Sequence, residues 1–196
     1  VQGELENALR KLGWTGSSVL IAGRTDAGVH ASGQVAAFDL DWNHTLDDMS
    51  NALNANLPAD MAVSQTKVAP AGFHPRFDAT SRRYCYRVFC QPRRDPLRER
   101  YAWRVWPVVE STTLESLAEI WPGEHDFSAF GSPPRPGGST QRMLMKASWQ
   151  QNEDEWLFEI QANAFLYHMV RRIVHVQIAV AQGKVPAEVI VQALAE

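Results

Sequence analysis

Apolar positions three and four residues apart predict the helices of this chain. Apolar residues at this spacing predict a first helix over residues 2–11. It is expected to end before Gly13, because glycine is typical of helix C-termini. Thr45 followed by Asp48 has the pattern of an N-cap with an acidic third residue, and it predicts a helix that continues to Asn54. The remaining predicted helices cover residues 111–121, capped by Ser111 or Thr112, residues 163–181, capped by Asn163, and the segment from Pro186 onward.

Short stretches rich in β-branched and aromatic residues predict the strands. Residues 79–90 form the longest, and residues 101–106 are expected to pair with it across the turn PRRDPLRER. Strands and helices are interleaved without strict βαβ alternation, which favours an α+β fold with two lobes, residues 1–105 and 106–196. The other predicted strands cover residues 18–22, 34–40 and 61–69, and residues 142–151 and 155–162, which form a hairpin around residues 152–154.

Composition narrows the class of protein. The chain has 196 residues, of which 45% are hydrophobic and 21% charged, and a formal net charge of −3. These values exclude a disordered chain and, at the level of total charge, a strongly basic nucleic-acid binder. Cys85 and Cys90 are too few for a disulfide framework, so we expect a reducing, cytoplasmic compartment. The most apolar long segment, residues 163–180, is interrupted by polar and charged residues, so no membrane span is expected.

The distribution of charge is uneven. Nine arginines lie between Arg76 and Arg104 against three acidic residues, which gives this segment +6 and leaves −9 on the rest of the chain. Arginine forms bidentate contacts with phosphate and stacks on bases, so the segment is a candidate surface for an anionic partner. The alternative is a solvated strand pair with paired surface charges. Three nearby acids are too few to pair nine arginines, which favours the partner surface.

The segment GRTDAGVHA, residues 23–31, is the most informative part of the chain. Its carboxylate, Asp26, sits in a turn of small residues after an apolar strand, and Arg24 lies two residues earlier on the same face of an extended segment. Gly23 and Gly28 permit close approach of a ligand to the backbone. On residue chemistry alone the favoured alternative is an Asx turn in which Asp26 binds backbone amides, and His30 is more often structural than catalytic. The histidines and cysteines lack metal-ligand spacing, so no metal site is predicted.

The stretch GRTDAGVHASGQVAAF resembles the catalytic motif of the tRNA pseudouridine synthase A family. Four further stretches are similar to the same family in the same order: VQGELENAL, NALNANLPADMAV, FHPRFDATSRRYCYRVF and ANAFLYHMVRRIV. The resemblance covers most of the chain. It implies a mixed, mainly antiparallel sheet flanked by helices, with two lobes around a central cleft. It also implies a cofactor-free homodimeric isomerase that converts uridine to pseudouridine at positions 38 to 40 of the tRNA anticodon arm.

The resemblance also implies roles for individual residues. Asp26 falls on the catalytic aspartate, Arg24 on the arginine that assists extrusion of the target base, and Arg171 on the arginine that pairs with the catalytic carboxylate. Tyr84 falls on the tyrosine that stacks on the target base. The element FHPRF, with Phe73, His74, Arg76 and Phe77, resembles a tRNA-contacting segment. These roles suit the chemistry, because a uridine buried in a stem must be flipped out and held on an aromatic ring before its glycosidic bond is attacked.

The chain departs from the family at three places. Family members begin with a strand and end with another, and both are absent here, so we expect a chain that lacks part of each end. The loop GSPPRPGGSTQR replaces a shorter tRNA-contacting segment, and only a weak RNA role is assigned to Arg135 and Arg142. A non-catalytic tRNA-binding protein of the same fold is the alternative function. An unrelated hydrolase that uses Asp26 and His30 is less favoured, because it has no activating metal or second carboxylate.

Overall fold

The computed structural model describes residues 1–195, which divide into two compact units: Val1–Ala79, and the chain from Thr80 onward. The predicted lobe boundary at 105/106 falls inside the second unit. Residues 82–89 pair as a strand with residues 155–162, and this long-range pairing places residues 80–105 in the second unit. None of the helices among residues 1–195 has the length and apolar character needed to cross a membrane.

The first unit contains helix α1 (Gln2–Lys11), strands β1 (Leu20–Ile21) and β2 (Ala36–Ala37), and helix α2 (Leu46–Asn54). Both helices match their predictions. The predicted cap of α2 is a capping box, in which the Asp48 amide donates to the Thr45 hydroxyl at 3.1 Å and the Asp48 carboxylate accepts from the Thr45 amide. The helices bury their apolar faces in one small core, formed by Leu5, Ala8, Leu9, Trp14, Val19, Met49 and Leu53.

The strands of the first unit are shorter than predicted. β1 and β2 pair antiparallel over two residues each, with Leu20 opposite Ala37. The prediction of a strand over residues 61–69 is wrong. Its backbone binds α2 instead of a neighbouring strand: Val63 donates to and accepts from the side-chain amide of Asn54, at 2.7 and 2.9 Å. An alternating pattern alone cannot distinguish a strand from an extended segment that is held in this way.

The second unit is built on a five-stranded sheet with the strand order β4-β3-β7-β6-β5. All pairs are antiparallel except β3 and β4, which run parallel with Val88 opposite Trp103. The parallel pairing requires a crossover, residues 91–102, that returns the chain to the level of Val88 before β4 begins. The α+β class and the mixed, mainly antiparallel sheet are therefore confirmed. The strands are β3 (Arg82–Cys90), β4 (Trp103–Val105), β5 (Gly123–Asp126), β6 (Gln141–Asn152) and β7 (Glu155–Ala162).

Helices α3 (Ser111–Ala118), α4 (Met169–Ala181) and α5 (Glu188–Ala195) contribute to the larger core. Alternate residues of β7 are buried in that core, and Trp149 of β6 donates to Gln177 of α4 at 2.9 Å inside it. The predicted β6–β7 hairpin is confirmed. Two short elements were not predicted, β5 and a 3-10 turn at Ser128–Phe130.

Two predicted helix caps are wrong. The N-cap of α3 is Glu110, one residue before Ser111. Helix α4 begins at Met169 and not at Asn163. Asn163 does not cap it, because its carboxamide oxygen accepts from the Met143 amide at 3.2 Å and from the Ala164 amide at 2.7 Å. Asn163 thus ties the end of β7 to β6, and the residues between it and α4 form a loop.

Candidate active site

Asp26 lies in the loop that joins β1 to β2. The base of this loop is closed by hydrogen bonds from the Ala22 amide to the Val35 carbonyl, at 2.9 Å, and from the Gln34 side chain to the Gly23 carbonyl, at 2.6 Å. Beyond Asp26 the chain turns, and the Val29 amide donates to the Asp26 carbonyl at 3.1 Å. Gly28 adopts a φ of +80° in that turn, a left-handed conformation that disfavours other residues. The loop therefore holds a half-buried carboxylate between two fixed ends.

Arg24 is exposed on the same loop. An exposed guanidinium on the loop that bears the carboxylate is available to a bound phosphate or base. This position suits the role in base extrusion that the resemblance implies.

The element FHPRF lies at the end of the first unit as two overlapping turns. Asp78 fixes it, because its carboxylate accepts from the His74 amide at 2.8 Å. The His74 ring accepts from the Arg76 amide at 3.2 Å and lies 4.2 Å from the Phe77 ring, between centroids. Phe77 is 77% exposed and Arg76 is also exposed, whereas Phe73 is half-buried. The turns thus place an aromatic residue and an arginine at the surface.

Tyr84 lies on β3 opposite Ile160 of β7. Its ring meets the Phe165 ring edge to face, with centroids 5.0 Å apart and planes at 86°. The Tyr84 side chain is half-buried and packs against the larger core. The contact fixes the plane of the phenol, as a stacking surface for a flat base requires.

Arg171 is exposed in the first turn of α4. Burial raises the pKa of the Tyr86 phenol, and the positive charge of Arg171 acts in the opposite direction, which shows that the guanidinium lies near Tyr86. Tyr86 follows Tyr84 by two residues on β3, so both point to the side of the sheet that α4 covers. One turn further along α4, His175 stacks on Trp103 of β4 with centroids 5.8 Å apart. Arg171 thus lies one helical turn before the residue that stacks on Trp103.

The rings of Phe165, Tyr86 and Trp103, which lie around Tyr84 and α4, were not among the residues predicted from the sequence. The alternation of β3 places Tyr84 and Tyr86 on one face and was a usable signal for Tyr86. No comparable signal exists for Phe165, because the incorrect helix start at Asn163 placed it inside a helix.

The arginine-rich segment is partly neutralised. Two acids of the β6–β7 hairpin reach it, and Glu99 within the segment pairs twice. The Arg82 guanidinium donates to the Asn163 carbonyl at 2.9 Å, whereas Arg83 lies exposed on the opposite face of β3. The paired arginines are Arg87 with Glu155, Arg98 with Asp154 and Glu155, and Arg94 and Arg104 with Glu99.

Arg142 binds its own backbone. One terminal nitrogen of its guanidinium donates to the Ser139 carbonyl at 2.9 Å and to the Gln141 carbonyl at 2.6 Å. Burial lowers the pKa of this guanidinium. Arg142 therefore stabilises the end of the loop 131–140, and its geometry does not favour the weak RNA role assigned from the sequence. Across residues 1–195 no cluster of three or more His, Cys, Asp or Glu side chains is arranged to hold a metal ion.

The mainly antiparallel five-stranded sheet and the helices packed on it define the class as α+β. A family model described as tRNA pseudouridine synthase matches residues 117–196. The chain is also 36% identical over 197 residues to the tRNA pseudouridine synthase A of Halalkalibacterium halodurans, covering 100% of this chain and 74% of that protein.

Two further relatives carry the same name. The tRNA pseudouridine synthase A of Aeromonas hydrophila is 37% identical over 195 residues, covering 100% of this chain and 72% of the relative. The tRNA pseudouridine synthase A of Pseudomonas aeruginosa is 38% identical over 189 residues, covering 96% of this chain and 66% of the relative. The chain belongs to the tRNA pseudouridine synthase A family, and the resemblance carried by its motifs is confirmed.

Proposed function

We propose that this protein is an isomerase that converts uridine to pseudouridine in the anticodon stem-loop of tRNA, at positions 38 to 40. The observation that carries the proposal is Asp26, a half-buried carboxylate on a loop closed at its base, in a chain that matches tRNA pseudouridine synthases A over its whole length. The reaction needs no cofactor, because one carboxylate suffices to break and remake the glycosidic bond.

The catalytic role of Asp26 is nucleophilic. Its carboxylate attacks either C6 of the base or C1′ of the sugar, and the bond between N1 and C1′ breaks. The detached base rotates and C5 bonds to C1′. The bond from the Asp26 carboxylate to C6 or C1′ then breaks or is displaced, the proton leaves C5 and N1 gains one, so the free product is an isomer of the substrate. Both routes require the carboxylate to be ionised, and Arg171 is the guanidinium proposed to pair with it.

The remaining residues handle the substrate. Tyr84, with its ring fixed by Phe165, serves as the platform for the extruded uracil. The exposed Arg24 fills the place of the extruded base or binds its phosphate. Phe73, His74, Arg76 and Phe77 contact the tRNA, with Phe77 and Arg76 as the exposed members of the element.

A homodimer and a cytoplasmic location belong to the same proposal. The resemblance implies the dimer, and light scattering should give twice the 22.0 kDa chain mass. A monomer with full activity contradicts it. Cys85 and Cys90 are free thiols on β3, which suits a reducing compartment.

The deciding experiment is incubation of the protein with an anticodon-arm RNA, followed by mass-spectrometric mapping of pseudouridine. We expect pseudouridine at one or more of positions 38 to 40 without added metal or cofactor. Tight binding of the RNA without any pseudouridine is the result expected of the non-catalytic tRNA-binding protein, and it overturns the proposal.

A further inference from the structure

Two adjacent rings, those of Tyr167 and His168, lie at the surface just before α4. The Tyr167 side chain is 58% exposed and His168 is also exposed. Their ring centroids are 4.0 Å apart and their planes are inclined by 35°. An exposed tyrosine that lies against a histidine presents a broad aromatic surface to solvent.

The backbone under these rings is fixed. The Tyr167 amide donates to the Ser132 carbonyl at 2.9 Å, and the Ser132 amide donates back to the Tyr167 carbonyl at 3.4 Å. On either side, Leu166 and Met169 are buried in the core. His168 has a φ of +63°, a left-handed conformation that the surrounding contacts must maintain.

Gly131 makes the close approach possible. A β carbon at this position would lie 2.5 Å from Cβ of Leu166 and 2.9 Å from the Tyr167 carbonyl oxygen, so glycine is needed where the two segments meet. Gly131 and Ser132, at the start of the loop 131–140, therefore lie against the backbone that carries the rings. Exposed rings on a fixed backbone lose little conformational entropy when they bind a partner.

The charges beside the rings suit a nucleotide. Arg171 and Arg172 are exposed in the first turn of α4, three to five residues after the two rings. A base can stack on the rings while a guanidinium binds the adjacent phosphate, which is the combination that proteins use for unpaired nucleotides. Extrusion of a uridine also leaves its neighbours without a stacking partner.

We propose that Tyr167 and His168 form a stacking surface for an unpaired nucleotide that flanks the target uridine. This inference rests on the proposed function, since Arg171 is taken as the site arginine of a pseudouridine synthase. It adds a second aromatic surface to the one that Tyr84 provides.

Photocrosslinking of the unaltered protein tests the contact directly. A set of anticodon-arm RNAs is prepared, each with one 5-iodouridine at a different position that flanks positions 38 to 40. After irradiation, the adducts are mapped by peptide mass spectrometry. We expect at least one flanking position to give an adduct at Tyr167 or His168. Adducts that map only to other residues overturn the proposal.

Three variants provide the energetic test. Tyr167→Ala should weaken binding of the RNA about fivefold or more, because base stacking on an aromatic ring is lost, whereas Tyr167→Phe should bind within about twofold of the parent. His168→Asn removes the second ring while keeping a residue that tolerates positive φ, and an intermediate loss is expected. Thermal unfolding of each variant checks the fold, and the crosslinks decide if Tyr167→Ala does not fold.

The outcomes separate this proposal from the proposed function. Absence of pseudouridine formation by the unaltered protein counts against the function itself. Normal activity of the parent, combined with unchanged binding and turnover by Tyr167→Ala, overturns only the stacking surface. A halved mass of Tyr167→Ala in light scattering assigns the rings to an interface between subunits and likewise overturns it.

Discussion

Arg98 binds Asp154 through two hydrogen bonds, of 2.6 and 3.0 Å, and so fastens the crossover before β4 to the tip of the β6–β7 hairpin. The Arg98 guanidinium also lies over the Phe89 ring, 4.3 Å from its centroid. On the next residue, the Glu99 carboxylate accepts from Arg94 and Arg104. Arg98 thus ties the crossover to the β6–β7 hairpin, and Glu99 ties it to Arg104 of β4. These contacts hold β4 parallel to β3.

These ion pairs predict a loss of stability in acid. The hydrogen bond from Arg98 lowers the pKa of Asp154, and that from Arg94 lowers the pKa of Glu99. A carboxylate with a lowered pKa in the folded state contributes stability above its unfolded pKa of about 4, and this is lost as the pH falls through the folded pKa.

Asp154→Asn should lower the melting temperature at pH 7 by roughly 1–3 °C, because the pair is solvent-exposed, and should lower it less at pH 3. Thermal unfolding of both proteins between pH 7 and pH 3 is the measurement. An equal difference between them at every pH contradicts a role for the charge.

Asp26→Asn should abolish pseudouridine formation, because an amide cannot act as the nucleophile. Size and hydrogen-bonding shape are kept, so RNA affinity and melting temperature should stay near those of the parent. Pseudouridine yield in anticodon-arm RNA is the measurement. If Asp26 only shapes a turn, asparagine is tolerated there and near-normal activity results, which would refute nucleophilic catalysis.

Tyr84→Ala should cost roughly 1–3 kcal/mol of base stacking and slow turnover accordingly. Tyr84→Phe keeps the ring and its edge-to-face contact with Phe165, so RNA binding should survive. Binding and turnover of both variants are compared with the parent. Turnover by Tyr84→Ala at the parental rate means that the ring serves packing alone.

Gly131→Ala should reduce both turnover and RNA binding. The added β carbon forces the segment that precedes α4 to shift, and α4 carries Arg171. A destabilisation of about 1–3 kcal/mol is expected from the overpacking. Gly3→Ala, on the exposed side of α1, is the control, since a β carbon there meets nothing within 4 Å. Equal effects of the two substitutions contradict a positioning role for Gly131.

Arg83→Gln should weaken RNA binding and reduce its salt dependence, whereas Arg94→Gln should change both less. Arg83 is exposed and forms no ion pair among the described residues, while Arg94 is bound to Glu99. A lost phosphate contact lowers the slope of log affinity against log salt by about 0.7–0.9. Titrations at several salt concentrations measure the slope. Unchanged binding and slope for Arg83→Gln remove this face from the RNA interface.

The sequence by itself determined the features that depend on neighbours along the chain. The Thr45–Asp48 capping box, the end of α1 before Gly13 and the β6–β7 hairpin all form between segments that are adjacent in the chain. Their hydrogen bonds and apolar faces are specified by local spacing, so a pattern is sufficient to predict them. The motif around Asp26 likewise indicated the family, because it is a contiguous string of residues.

The tertiary structure alone decided the features that depend on distant partners. Asp154 and Glu155 neutralise arginines more than fifty residues earlier, which local charge counting could not include. The Asn163 side chain accepts from the Met143 amide and does not cap a helix. The backbone of Val63 is bound by the Asn54 side chain and not by a neighbouring strand. In each case a polar group has several possible partners, and the packing of distant segments selects one by burying or exposing the others.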